Sequence, residues 1–499
     1  MEIEGYSLGN QCEFRQLRRA MRSVALLSVA AVLMLGCAAS PSSEEGTEAA
    51  SIGQPLVDLP IEVRCEAILQ RDPAYFPYFH VAPQIWEQAQ TPAGATAAVR
   101  SVAIDGEVAA AALGGKVTVF TSSNLASLNG WAQGPSFQPE LGLAGDYGAS
   151  LAIRSKSPLV AVGAPGYAVD EPGYVAIYEQ VSADAERPPF VRQHWRRTQI
   201  LLPPRAKNAA ATSSMHFGSS LAIEGDTLVV GAEHFFHSSI ANTNKDQLGI
   251  VYVYKRNQGS AWQLAETLSP LSSAWLPYPG FGSQPQNPPL PGDGYEFGHT
   301  VAISNGTIAV GANDHDCQKP LLNWCGRVHL YQLSSTGLWA PTSIVTPHTP
   351  YVTGFGLKVA LDGSHLAVHS LGPSNGPRDS MTGLPIDPLE GHLVVELFEK
   401  SSAAGYSFVD RVESNGGAPI ALSGDTLLLG LAAGFWPGPN YVASYVIGNG
   451  LDTNWRGFPR PSGASSNFGA SLDVSGDWAI VGDISGPTFF RRTDCGPLL

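Results

Sequence analysis

One short pattern recurs seven times along this chain, and such a recurrence constrains the fold more than length or composition do. Each copy opens with a strand-like run of small residues, at 101–104, 150–153, 220–223, 300–303, 358–361, 419–422 and 471–474. A tight turn follows, as in Asp105-Gly106, Gly225-Asp226, Asn305-Gly306, Asp362-Gly363, Gly424-Asp425 and Gly476-Asp477, with 155–158 replacing it in the second copy. Gly beside Asp or Asn tolerates positive φ and closes short hairpins. A second strand comes next and often runs into Gly-Ala, as at Gly163-Ala164, Gly231-Ala232 and Gly311-Ala312. After a variable loop a third strand alternates and is rich in aromatics, for example Val251-Tyr252-Val253-Tyr254. Alternation of this length marks a half-buried strand. Trp131, Trp195, Trp262, Trp339, Phe408 and Trp455 then carry a fourth strand in the first six copies. The seventh copy ends near Cys495 without one, but Trp86 lies upstream of the first copy and supplies the missing strand.

Four short antiparallel strands cannot bury both their faces alone. Set radially, each sheet packs on its neighbours and leaves only short, protected edges. The expectation is an all-β, seven-bladed β-propeller of four-stranded antiparallel blades over 61–499. Its N-terminal strand pairs with the C-terminal blade to close the ring, and its first strands line the axis. With 54 Gly, 38 Pro and only 14 % charged residues, the composition suits such a turn-rich fold. A formal net charge of −14 argues against nucleic acid as a partner, since phosphate contacts need a basic face.

In five copies Phe-Gly or Tyr-Gly stands just before the first strand, at Tyr147-Gly148, Phe217-Gly218, Phe297-Gly298, Phe355-Gly356 and Phe468-Gly469. Together with the Gly163-Ala164-Pro165 element, this resembles the FG-GAP repeat, the unit of the integrin α-chain propeller. Relatives of that kind often carry a calcium loop between the first two strands. Here those turns are short, so the resemblance implies no calcium and no other cofactor. Two other clusters place oxygen atoms at alternate positions: Asn242 with Asp246, and Asp314 with Asp316. Neither has the length or closing carboxylate of an EF-type loop, and both read as polar loop.

The N-terminus reads as an address. Arg15, Arg18, Arg19 and Arg22 precede an apolar run from Val24 to Leu35, shorter than the ~20 residues a spanning helix needs. Met34-Leu35-Gly36-Cys37 resembles a bacterial lipobox, which implies cleavage before Cys37 and acylation of its thiol. Residues 1–37 are thus a signal region, with 1–20 an upstream extension or a mis-assigned start, and 38–60 a flexible tether. Ala38 lacks the inner-membrane retention signal of such lipoproteins. The expected place is the outer membrane or cell surface, held only by the anchor.

Secretion permits disulfides. Cys65, Cys317, Cys325 and Cys495 allow three pairings. Cys317 with Cys325 is the local pair, leaving Cys65 with Cys495, whose ends ring closure brings together. The alternative is free buried thiols.

The long insertions at 232–249, 263–297, 312–326, 369–391 and 431–440 all emerge on one face of such a ring. Phe235, Phe236, Trp275, Tyr278, Trp324 and Trp436 lie in them and suit a protein or glycan ligand. There is no His-Glu-x-x-His or Cys-x-x-Cys sequence. Asp146, His216 and Glu296 each precede a Phe/Tyr-Gly and are the weak catalytic candidates, but a variable turn position explains them better, since Gly354 holds the same place in another blade. The functional expectation is a monomeric, surface-anchored binding or adhesion module. Its alternatives are a propeller hydrolase or lyase acting on polysaccharide, and a structural part of the envelope.

Overall fold

The computed structural model describes residues 84–89, 97–139, 146–166, 173–182, 193–204, 215–233, 249–257, 261–270, 296–313, 326–349, 352–372, 393–402, 405–414, 419–431, 441–448, 455–458 and 461–494. They form seven four-stranded antiparallel sheets. The first strands are Val99–Asp105, Ser150–Arg154, Phe217–Glu224, Thr300–Ser304, Thr353–Asp362, Ile420–Ser423 and Leu472–Ser475. The second strands are Val108–Leu113, Leu159–Ala164, Thr227–Ala232, Thr307–Ala312, His365–Leu371, Thr426–Leu431 and Trp478–Asp483. The third strands are Lys116–Ser122, Tyr174–Ser182, Ile250–Lys255, Arg327–Leu333, Leu393–Ser402, Tyr441–Val446 and Gly486–Asp494. The fourth strands of blades 1–6 are Trp131–Phe137, Gln193–Leu201, Gln263–Leu268, Trp339–Val345, Gly405–Ser414 and Trp455–Gly457. In the seventh sheet the outermost strand is Gln84–Gln88, with Trp86 opposite Arg492.

Each first strand packs on the first strand of the next blade, and that of blade 7 returns to that of blade 1. The result is a seven-bladed propeller with the first strands innermost. Burial follows the radius. Second strands such as Leu159–Ala164 and Thr307–Ala312 are buried at every position, because a neighbouring blade covers each face. The third strands differ from the half-buried expectation: Val251 to Tyr254 are all buried. Their alternation is of small against aromatic side chains, not of inside against outside. Water reaches the fourth strand, where Trp131–Phe137 buries only its ends.

The repeat motif is a lock between blades. The Phe or Tyr enters the core, as with Phe217, Phe297, Phe355 and Phe468. The following glycine takes φ between 82° and 96° at Gly148, Gly218, Gly298, Gly356 and Gly469, a region costly for other residues. This turns its carbonyl against the second strand of the preceding blade. A Cβ on Gly163, Gly231, Gly311 or Gly430 would lie 2.1–2.2 Å from that oxygen, so only glycine fits there. Ser101, Ser150 and Ser220 each donate a 2.7 Å hydrogen bond to the same carbonyl.

On the opposite face the hairpin turns are tied in a ring. The residue ending a first strand accepts from a turn amide of the next blade: Asp105 from Ser155, Glu224 from Asn305, Ser304 from Gly363, Asp362 from Gly424, and Ser423 from Gly476. Blade 2 reverses the polarity, Arg154 donating to the Gly225 carbonyl at 2.6 Å. Ser475 of blade 7 accepts from Gly106 of blade 1 at 3.0 Å and completes the circuit. The acids and hydroxyls of this face are thereby committed to structure.

Candidate functional site

Asp146, His216 and Glu296 share one backbone device. Their φ values of 41°, 54° and 61° are left-handed, a conformation that costs a side-chain-bearing residue about 1 kcal/mol. Each carbonyl accepts the amide three residues on, at Ala149, Ser219 and His299. The strain is offset by the docked aromatic and glycine that follow. Gly354 occupies the same place in blade 5 at φ 64°. The position is thus a turn corner on the loop face, which presents whatever side chain it carries at the rim.

A second rim position follows each Gly-Ala: Pro165, Glu233 and Asn313. Within a blade the two positions meet. His216 Nδ1 lies 3.2 Å from Glu233 Oε1, and Asn313 Nδ2 donates to Glu296 Oε2 at 2.8 Å. Between blades 3 and 4, His299 Nδ1 lies 2.5 Å from the other oxygen of Glu233 and 3.9 Å from Glu296. The contacts therefore run His216, Glu233, His299, Glu296, Asn313 across one seam. Glu233 and His216 are buried, whereas His299 is about a quarter exposed. An ionised carboxylate only accepts, so in a neutral His299 the hydrogen sits on Nδ1 and the Nε2 lone pair is left to act as a base or acceptor.

Asp146 stands apart. It pairs with Arg100 of blade 1 at 2.7 Å, with both side chains well exposed, a pair of little energetic weight. The sequence candidates His216 and Glu296 are joined through Glu233 and His299, which the motif reading passed over. Glu233 follows a recognisable Gly-Ala and His299 follows a recognisable Phe-Gly, so the repeat register was the available signal.

Lys358 opens the inner run of blade 5, facing His369 across the strand pair. Lys358 is exposed to solvent on an innermost strand. Burial draws its pKa down, and the charge of Glu233 pushes it back up. Burial, then the Lys358 charge, lowers His369 to about 4, so its ring is neutral at physiological pH.

Among the described residues no three His, Cys, Asp or Glu side chains are grouped to hold a metal ion. Asn242, Asp246, Asp314 and Asp316 lie outside the described residues, as do Phe235, Phe236, Trp275, Tyr278, Trp324 and Trp436. Cys37, Cys65, Cys317, Cys325 and Cys495 lie outside them too.

A search of curated proteins finds no match. Among solved structures the chain is similar to the crystal structure of the computationally designed Ika8 protein. The two share 12 % identity over 82 % of this chain and all of that one, with a TM-score of 0.38. A model of the FG-GAP repeat matches residues 206–254, which span the Phe217-Gly218 turn and the first three strands of blade 3.

Proposed function

We propose that this protein is a surface-anchored binding module that engages a protein or glycan with the loop face of its propeller. One observation carries the reading. The hairpin face is tied by a ring of side-chain-to-turn bonds, whereas the connections from second to third strands and from one blade to the next, the longest in the chain among them, leave from the other face, where the Glu233 cluster lies. Variable loops on a rigid ring are suited to recognition. The FG-GAP match to blade 3 supports the same class of function. The anchor at Cys37 belongs to this reading, and incorporation of labelled palmitate, lost on Cys37→Ser, tests it.

His299 beside Glu233 and Glu296 gives a specific reason for a second reading, a hydrolase or lyase acting on polysaccharide. A glycan array probed with the full chain in detergent separates the two, with product analysis on every glycan that binds. Retention without turnover supports the module. Product release that disappears in His299→Ala or Glu296→Gln overturns it in favour of the enzyme.

A further inference from the structure

Two seams lack the Phe-Gly turn, that between blades 7 and 1 and that between blades 5 and 6, and the second departs furthest. Where blade 5 has His369, the other second strands carry Ala112, Gly163, Gly231, Gly311, Gly430 and Gly482. Where it has Lys358, the other first strands carry Ser101, Ser150, Ser220, Thr300, Pro419 and Ser471. At Gly163, Gly231, Gly311 and Gly430 a bare Cβ would already lie 2.1–2.2 Å from the docking carbonyl, so a whole imidazole at His369 leaves no room for a carbonyl placed in that way. In keeping with this, residues 415–418 read Asn-Gly-Gly-Ala, and no Phe/Tyr-Gly precedes the first strand of blade 6.

The two replacements are cross-strand partners, so their side chains leave the same face of the sheet. His369 is 1 % exposed, and both ring nitrogens lack a hydrogen-bond partner. Buried polar atoms without partners are rare in native structures. Lys358 is open to solvent, and among the described residues nothing hydrogen-bonds or ion-pairs with its ammonium. Glu233, the carboxylate that acts on it, already meets an imidazole at each oxygen. A cation on an innermost strand with no direct counter-charge, paired across the strands with an imidazole that has an unused N–H, calls for an anionic guest.

We propose that Lys358 and His369 anchor a single carboxylate of the ligand, the ammonium meeting its charge and the imidazole N–H meeting one oxygen. A monoanion fits better than a dianion such as phosphate, because one cation is present, Glu233 and Glu296 stand at the same rim, and the whole chain carries −14. The carboxylate belongs to a slim group, either a free sugar acid or the terminal residue of an acidic glycan. The inference rests on the loop-face reading and sharpens it to one class of ligand.

Calorimetric titration of the full chain in detergent tests it with sodium glucuronate, an oligoglucuronate, glucose and inorganic phosphate as probes. The expectation is that glucuronate binds about tenfold or more tightly than glucose or phosphate, from a charge-assisted hydrogen bond. Lys358→Met should remove that preference, and Lys358→Arg should keep part of it. In the unaltered chain, glucuronate should raise the Lys358 pKa followed by ¹³Cε chemical shift, a readout that does not depend on a variant folding. Oligoglucuronate binding well above the monomer identifies a glycan end as the source, and equal binding identifies the free acid. The proposal is overturned if glucuronate and glucose bind alike, if phosphate is preferred, or if neither acid binds. It falls alone when the array returns neutral glycans without glucuronate binding, which leaves the module reading standing.

Discussion

Gly231→Ala isolates the interblade lock. The new methyl carbon would stand 2.1 Å from the Gly298 carbonyl oxygen and 2.2 Å from Ser220 Oγ, whereas ordinary contact begins near 3.4 Å. The Phe297-Gly298 turn must therefore back away by more than 1 Å. It would carry with it Phe297, which is fully buried, and lose the 2.7 Å bond from Ser220. Overpacking of this kind costs about 1–3 kcal/mol. The lost hydrogen bond adds about 1 kcal/mol, for a total of roughly 3 kcal/mol. Gly225→Ala is the matched control: its φ is +55°, but no atom lies within 4 Å of its Cβ, so only the backbone term of about 1 kcal/mol applies. Urea unfolding followed by tryptophan fluorescence compares the two midpoints. Adding Ser220→Ala to Gly231→Ala should cost less than the sum of the single changes, because one clash partner is removed with the hydroxyl. Equal destabilisation by Gly231→Ala and Gly225→Ala would refute the lock.

Other sites give independent checks. Asp473 on the first strand of blade 7 accepts the Ile104 amide of blade 1 at 2.9 Å, and burial raises its pKa to about 7. An acid whose folded pKa exceeds its unfolded value near 4 binds its proton more tightly when folded. Its contribution is complete below about pH 4 and is lost as pH rises to about 7, by at most about 4 kcal/mol. Asp473→Asn should flatten that part of the stability–pH curve, and an unchanged slope would count against the assignment. Glu233→Gln offers its oxygen to only one of the two imidazoles, so it should cost about 2 kcal/mol and move the hydrogen to Nε2 in whichever of His216 and His299 faces the new NH2, visible in long-range ¹H–¹⁵N spectra. Trp86 is buried, stacks on Phe458 at 4.6 Å and donates to Ser444. Its replacement by alanine should cost about 3–5 kcal/mol in the same urea assay, and a loss below 1 kcal/mol would deny that strand a part in holding the ring.

The fold was legible because its determinants are local. Gly-Asp turns, apolar second strands and the Phe-Gly dipeptide each act within a few residues, and seven copies in register average out the ambiguity of any one. The burial of the third strand was misread because the sequence of Val251 to Tyr254 shows its chemical alternation but not the blade that covers its second face. The site was legible only in part. His216 and Glu296 stand out beside Phe-Gly, but the residue joining them is Glu233, whose contact to His299 crosses 66 positions and a blade boundary. No motif window holds both. That contact follows only once the chain is folded into a ring and position is counted by blade.

Counting by blade also makes the departures informative. A repeat of this kind imposes one steric rule on every seam, so a residue that breaks the rule must be accommodated by its neighbours. Val99 does so quietly at the seam between blades 7 and 1, lying against Gly482 where no Phe-Gly turn arrives. His369, with Lys358 opposite it, does not: it puts an imidazole where the other second strands carry glycine or alanine, and a buried nitrogen without a partner costs about 1–3 kcal/mol. An apolar filler like Val99 would have closed that seam without this penalty. Local rules give way at functional sites more than elsewhere. Here the breach in blade 5 lies within electrostatic reach of Glu233 in blade 3, on the same face as the long loops. Lys358 is therefore the residue at which binding by the loop face should first be tested.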